Sequence, residues 1–163
     1  MNIFIACAKS KVNYPCEAQE LYSASSIFNK RLEYALNKRE ELKEQVNIYI
    51  LSAKYGLLNL TDKIVPYDMF LATETKEYKV SWAIKVLEQM KAAGIDMNDN
   101  TYFAAGEEYW ERLISFFPNA TNEKTEVEKL LGRGGIGMAM HYYDIITKKD
   151  STAPITLSST DLF

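Results

Sequence analysis

Three segments of the chain place chemistry-bearing side chains at close spacing. Cys7-Ala8-Lys9-Ser10-Lys11 sets a thiol, two ammonium groups and a hydroxyl in one short stretch. Lys9 and Lys11 could receive a phosphate or a carboxylate; the competing reading is a polar loop that ends a hydrophobic strand. Cys7, with apolar neighbours and no evident His partner, reads more readily as an inert core cysteine than as a nucleophile. Ser52-Ala53-Lys54-Tyr55-Gly56 adds a hydroxyl, an ammonium, a ring and a turn glycine, and Pro66-Tyr67-Asp68 follows with a phenol and a carboxylate. Lys54 and Asp68 in one cleft could share acid–base or electrostatic work. Composition alone favours the blander alternative, a loop closed by a Lys54–Asp68 ion pair with its tyrosines packed on the core.

The third segment is Gly132-Arg133-Gly134-Gly135-Ile136-Gly137. Glycines ahead of a helix expose backbone N–H groups that favour an anion, and Arg133 would add a charged fork. No Lys-Ser/Thr follows, so it is not a phosphate loop of the Walker type, and the spacing is wrong for a dinucleotide fingerprint. A tight turn needing positive φ is the equal competitor. His141, the only histidine, lies mid-helix, and no Ser-His-Asp arrangement can be drawn around it.

These segments must be positioned by the elements before them. Three apolar runs read as strands: Asn2 to Ala8, Val46 to Ser52 and Thr101 to Ala105. The second and third are near-continuously apolar, which suits a parallel sheet covered on both faces. Helical spacing runs from Ser25 to about Glu44 and from Thr75 to Ala93, the latter with Val80, Ala83, Ile84, Leu87 and Met90 on one face. It also runs from Glu107 to Phe117 and from Gly135 to Lys148. Strand–helix alternation predicts an α/β fold, a single open, mainly parallel sheet with flanking helices over residues 1–148, with 149–163 a loose tail. In such a sheet ligands lie beyond the carboxyl ends of the strands, which selects the loops after Ala8, Ser52 and Ala105.

Composition sets the bounds. The 163 residues suit one domain, and 47% hydrophobic with 25% charged residues excludes wholesale disorder. A formal charge of −3 excludes attachment to nucleic acid by bulk positive charge, though not through a local basic cleft. Two cysteines and one histidine make a disulfide scaffold or a zinc site improbable. No metal and no cofactor is expected. The first apolar run is too short for a signal or a membrane span, so the expected location is cytoplasmic, with no membrane partner.

Taken in order, Ile5-Ala6-Cys7-Ala8-Lys9-Ser10-Lys11, Glu20-Leu21-Tyr22-Ser23, Ser52-Ala53-Lys54-Tyr55-Gly56-Leu57, Pro66-Tyr67-Asp68, Ala105-Gly106-Glu107-Glu108-Tyr109-Trp110 and Gly135-Ile136-Gly137-Met138 resemble the bacterial and phage family DUF6884. The Ser-Ala-Lys-Tyr-Gly-Leu and Pro-Tyr-Asp elements are also similar to a domain of archaeosine synthases and, more distantly, to the YaaA-like peroxide-stress proteins. The resemblance spans about residues 1–147. It implies a uracil-DNA-glycosylase-like fold and a link to modified nucleobases in DNA or tRNA. The water-activating motif of true uracil-DNA glycosylases is absent, so their catalytic residues do not carry over.

On that footing the expected function is glycosylase-like cleavage of the N-glycosidic bond of a modified nucleobase, with nucleic acid or nucleotide as partner and DNA favoured. Asp68 would stabilise positive charge developing on the sugar, and Lys54 and Ser52 would serve the departing base. Tyr55 and Tyr67 would wall the pocket, Lys9, Lys11 and Arg133 would hold phosphates, and Tyr22, Tyr109, Gly106, Gly135 and Gly137 would complete the substrate-binding set. The alternatives are a non-catalytic modified-base or nucleotide binding module and a small interaction factor of phage or mobile-element origin.

Overall fold

A computed structural model describes residues 1–43 and 45–151. Its strands are β1 (Asn2–Ala6), β2 (Cys16–Glu17), β3 (Asn47–Ser52), β4 (Gly56–Asn59), β5 (Lys63–Ile64), β6 (Thr101–Ala104) and β7 (Ala120–Asn122). Five of them form an open sheet of order β4-β3-β1-β6-β7. β1, β3, β6 and β7 run parallel and β4 pairs antiparallel with β3. The chain is thus a mixed α/β fold with a mainly parallel sheet. Every residue of β1 and β6 is buried, as strands covered on both faces should be. Parallel register aligns Phe4 with Tyr49 on one side and Phe103 on the other, and the three rings stack with centroids 5.6 and 5.2 Å apart.

Helices α1 (Ala18–Leu21), α2 (Ser26–Leu42), α3 (Lys76–Ala92), α4 (Glu107–Trp110), α5 (Glu123–Leu131) and α6 (Ile136–Ser151) complete the domain. The Ser25 hydroxyl accepts from the Phe28 N–H and the Thr75 hydroxyl from the Tyr78 N–H, so α2 and α3 both start at side-chain caps. α2 packs on β1 and α6, and α3 packs on β4. A two-residue ladder between β2 and β5 fastens the segment after β1 to the one before Tyr67. Among the described residues no helix is long and apolar enough to cross a membrane.

Several expectations need correction. The segment 107–117 is not one helix: α4 ends at Trp110, and a 3₁₀ turn covers Ile114–Phe116. Burial of Tyr109, Leu113 and Phe117 sets that path, and bonds such as Leu113 N–H to the Trp110 carbonyl tighten it. Val80 and Ile84 are 42% and 54% exposed, so the inward face of α3 is instead Trp82, Ala83, Val86 and Met90. The last helix continues to Ser151, and the rest of the expected tail, 152–163, lies outside the described residues.

Candidate functional site

The register Ala6 to Leu51 and Ile5 to Ala104 brings the carboxyl ends of β1, β3 and β6 to one edge of the sheet. The chain turns from β1 to its neighbour β3 and later to β6 on the opposite side, so β1 ends at the switch in strand order, where open α/β sheets form crevices.

On the β3 side the centre is a knot of hydroxyls. Ser52 is wholly buried. Its Oγ accepts the backbone N–H of Tyr55 at 3.0 Å and of Lys54 at 3.3 Å, which shapes the turn into β4. The same oxygen lies 2.9 Å from the Tyr67 hydroxyl, and Tyr22 Oη is 2.7 Å from Tyr67 Oη. Burial, with Cys7 adding to it, raises the Tyr22 and Tyr67 pKa values well above that of an ordinary phenol. The turn is braced from α3: Trp82 Nε1 donates to the Ser52 carbonyl at 2.8 Å, and Tyr78 Oη to the Ala53 carbonyl at 2.6 Å. Gly56 has φ +79°, and the amide of Gln89 bonds Leu57 N–H and the Tyr55 carbonyl across it.

Outside this knot lies a charged surface. Lys11 Nζ sits 4.3 Å from the Tyr67 ring centroid, a cation–π contact, and Lys54 Nζ lies 5.4 and 6.0 Å from the Tyr55 and Tyr67 rings. Burial lowers the Lys11 pKa, opposed by the charges of Cys7 and Asp68 nearby. Asp68 is exposed. The ion pairs of the described residues do not include it, so a Lys54–Asp68 pair does not close the loop.

On the β6 side the edge opens into a cleft of about 270 Å³, lined by Cys7, Lys9, Ser25, Phe70, Tyr109 and Ile136 among others. Cys7 forms part of its floor, with Sγ 3.3 Å from the Tyr109 hydroxyl and accepting Ala53 N–H at 3.4 Å. Phe70 and Ile136, 38% and 59% exposed, are apolar lips. A second hollow of about 230 Å³ adjoins it, lined by Glu107, Lys124, Glu128 and Gly135 among others; Arg31, Gly106 and Ile136 border both. Arg31 is buried and clasps Glu123 through Nε and Nη2, each at 2.7 Å. The Tyr143 hydroxyl donates to Glu123 at 2.7 Å. Among the described residues no group of His, Cys, Asp and Glu is placed to hold a metal ion.

The expected site residues therefore fall into two sets on either side of Cys7. Lys11, Tyr22, Ser52, Lys54, Tyr55, Tyr67 and Asp68 gather at the β3 side, with Tyr22 and Ser52 sealed inside as positioning groups. Lys9, Gly106 and Tyr109 line the cleft, with Tyr109 itself buried. Gly135 lines the adjoining hollow, while Arg133 and Gly137 are exposed and border neither. Sequence reasoning missed Arg31, which sits in a helix rich in solvated charge, and Phe70, which has no periodic context. His141 is exposed.

The profile of a family of unknown function, DUF6884, matches residues 3–145. Comparison with curated proteins finds no match. The chain belongs to the DUF6884 family.

Proposed function

From that membership and the geometry of the sheet edge, we propose that the protein acts on a modified nucleobase, carried on DNA, and cleaves its N-glycosidic bond. Kinship to archaeosine synthase and YaaA-like domains, and a uracil-DNA-glycosylase-like character of the fold, belong to the same proposal. The observation that carries it is the cleft at the end of β1, which combines a cation (Lys9), an exposed ring (Phe70) and an apolar floor. A flipped base needs a wall to stack on and a charge to hold its backbone. Asp68 lies two residues before Phe70 and is exposed. In hydrolysis the bond from sugar C1′ to the base nitrogen breaks and its electron pair leaves with the base. The carboxylate offsets the cation left on the sugar, and water then supplies the new C1′–O bond while its proton goes to the departing base nitrogen. Lys11 and Lys54, on the same surface, offer positive charge for phosphate or for the departing base.

Incubation with DNA carrying ordinary or hypermodified bases tests this, read as released base and alkali-labile sites. Release that disappears in Asp68→Asn supports the reading, and no release from any substrate overturns it. A binding module is the second reading, and one observation favours it: the Ser52 hydroxyl is buried and fully engaged, so it cannot touch a departing base. Retention of modified-base DNA without base release would select that reading.

A further inference from the structure

The sequence points to the glycine turn before α6 as an anion site, with Arg133 as its cation. Arg133 is exposed and borders neither hollow. Arg31 is placed very differently. Two of its nitrogens are spent on Glu123, and Nη1 has no hydrogen-bond partner among the described residues. Nη1 is nonetheless not sealed away from solvent, since among the described residues the fully buried side-chain polar atom without a partner is Trp110 Nε1. An arginine residue only 5% exposed, with one guanidinium nitrogen unpaired and the residue bordering both hollows, offers a donor without an acceptor.

The first turn of α6, a 16-residue helix, meets the same cleft at Ile136. Its N-terminal N–H groups and dipole favour negative charge. Charge decides between the two hollows. The one beyond Gly106 carries Glu107, Glu123 and Glu128 against Arg31 and Lys124, a net negative wall. The one at the end of β1 carries Lys9 and Arg31 against Glu108 alone. With Glu123 already neutralising one edge of Arg31, the remaining donors are Nη1, Lys9 and the N-terminus of α6.

We infer that this corner of the cleft, between Arg31 Nη1, Lys9 and the α6 N-terminus, is a phosphate subsite that holds the phosphate of a nucleotide, free or within a strand. The inference rests on the nucleobase reading only for what the phosphate is attached to. Phe70 then faces the attached nucleoside across the same cleft.

The test is an NMR titration of the full chain with inorganic phosphate, thymidine, thymidine 5′-monophosphate and a short thymidine strand. Phosphate should shift the Ile136 amide and the Arg31 guanidinium. Gly135→Asp is the decisive variant: a Cβ there meets nothing within 4 Å, so the change is tolerated and tethers a competing carboxylate at the start of α6. Phosphate affinity should fall about tenfold or more in Gly135→Asp and in Arg31→Lys, which keeps a charge for Glu123 but loses the fork. Should Arg31→Lys fail to fold, Gly135→Asp and the wild-type shifts decide. Unmoved Ile136 and Arg31 signals, or unchanged affinity in Gly135→Asp, would overturn the subsite. Monophosphate binding no tighter than thymidine would also overturn it while leaving the nucleobase reading in place. Phosphate binding as tightly as the monophosphate keeps the subsite and counts against the nucleobase. A strand that binds more tightly than a monophosphate that itself outbinds thymidine identifies a backbone phosphate as the preferred ligand.

Discussion

Arg31 and Glu123 join the second helix to the fifth through two parallel hydrogen bonds of 2.7 Å, with both residues about 5% exposed. A pair so deeply placed is a poor source of net stability, because desolvation offsets most of the attraction, but breaking it strands a charge. Arg31→Met or Glu123→Met alone should therefore cost about 3–5 kcal/mol, and the double variant should recover most of that deficit. Denaturant unfolding of the three proteins reads the difference. A double variant as unstable as the singles would show that the pair itself, and not the orphaned charge, holds the helices.

Asp68 gives the sharpest functional expectation. With no ion pair to break, Asp68→Asn should leave the melting temperature unchanged while turnover falls roughly 10²–10³-fold. Activity and melting measured on one preparation check both halves. Full activity would remove Asp68 from the chemistry and leave the enzyme reading without its carboxylate.

Lys9 lines the cleft, and Lys11 is held over the Tyr67 ring. Charge reversal at both should weaken DNA binding and flatten the slope of log affinity against log salt, by about 0.7–0.9 for each phosphate no longer neutralised. Affinity measured across a salt series would show it, and an unchanged slope removes both residues from the interface.

Gly56→Ala should destabilise the fold by about 2–4 kcal/mol. The residue sits at φ +79°, and a Cβ would collide with Gln89 Oε1, displacing an amide that bonds Leu57 N–H at 2.8 Å and the Tyr55 carbonyl at 3.1 Å. Thermal unfolding checks it. Rescue by Gln89→Ala would show that the collision, not the backbone angle, dominates.

Alkali should expose the buried phenols together. Burial raises Tyr22, Tyr67, Tyr102, Tyr109 and Tyr143 well above the ordinary phenol value and pushes Tyr142 up to about 12. A phenol held neutral in the native state ionises more readily once unfolded. Its contribution is therefore intact below about pH 10 and is lost as pH climbs through the native value. Phenolate absorbance followed beside circular dichroism should show these tyrosines ionising only as the chain unfolds. Ionisation of all of them in the folded protein would contradict the burial.

The parts of this fold legible in the sequence are those written in continuous apolar residues. Ile3 to Ala6, Ile48 to Ser52 and Thr101 to Ala104 announce buried parallel strands because almost nothing polar interrupts them. β4 and β7 are hidden because Gly56–Asn59 and Ala120–Asn122 are short and take their identity from the partner they pair with. The site is legible as a set of loops, since strand ends and turn residues mark those directly. Its internal division is not. Nothing in the residue types says that Ser52 and Tyr22 are sealed while Lys54 faces solvent; that follows from Trp82 and Tyr78 reaching across from α3. Arg31 is illegible for a similar reason, since its partner lies 92 residues away.

The placement of β1 also governs how the chain must assemble. Asn2 pairs with Asn47 on one flank and with Thr101 on the other, so β1 stays open on one flank until β6 is made. Until β6 arrives, a wholly buried strand keeps one row of amide and carbonyl groups open, the condition under which strands recruit foreign edges. Pairings of such long sequence separation also slow the search for the native state. Refolding should accordingly be slower than for a helical protein of this size, and its yield should fall with protein concentration. The vulnerable species would be a half-built sheet of β1, β3 and β4, whose open flank is the one that later carries the cleft.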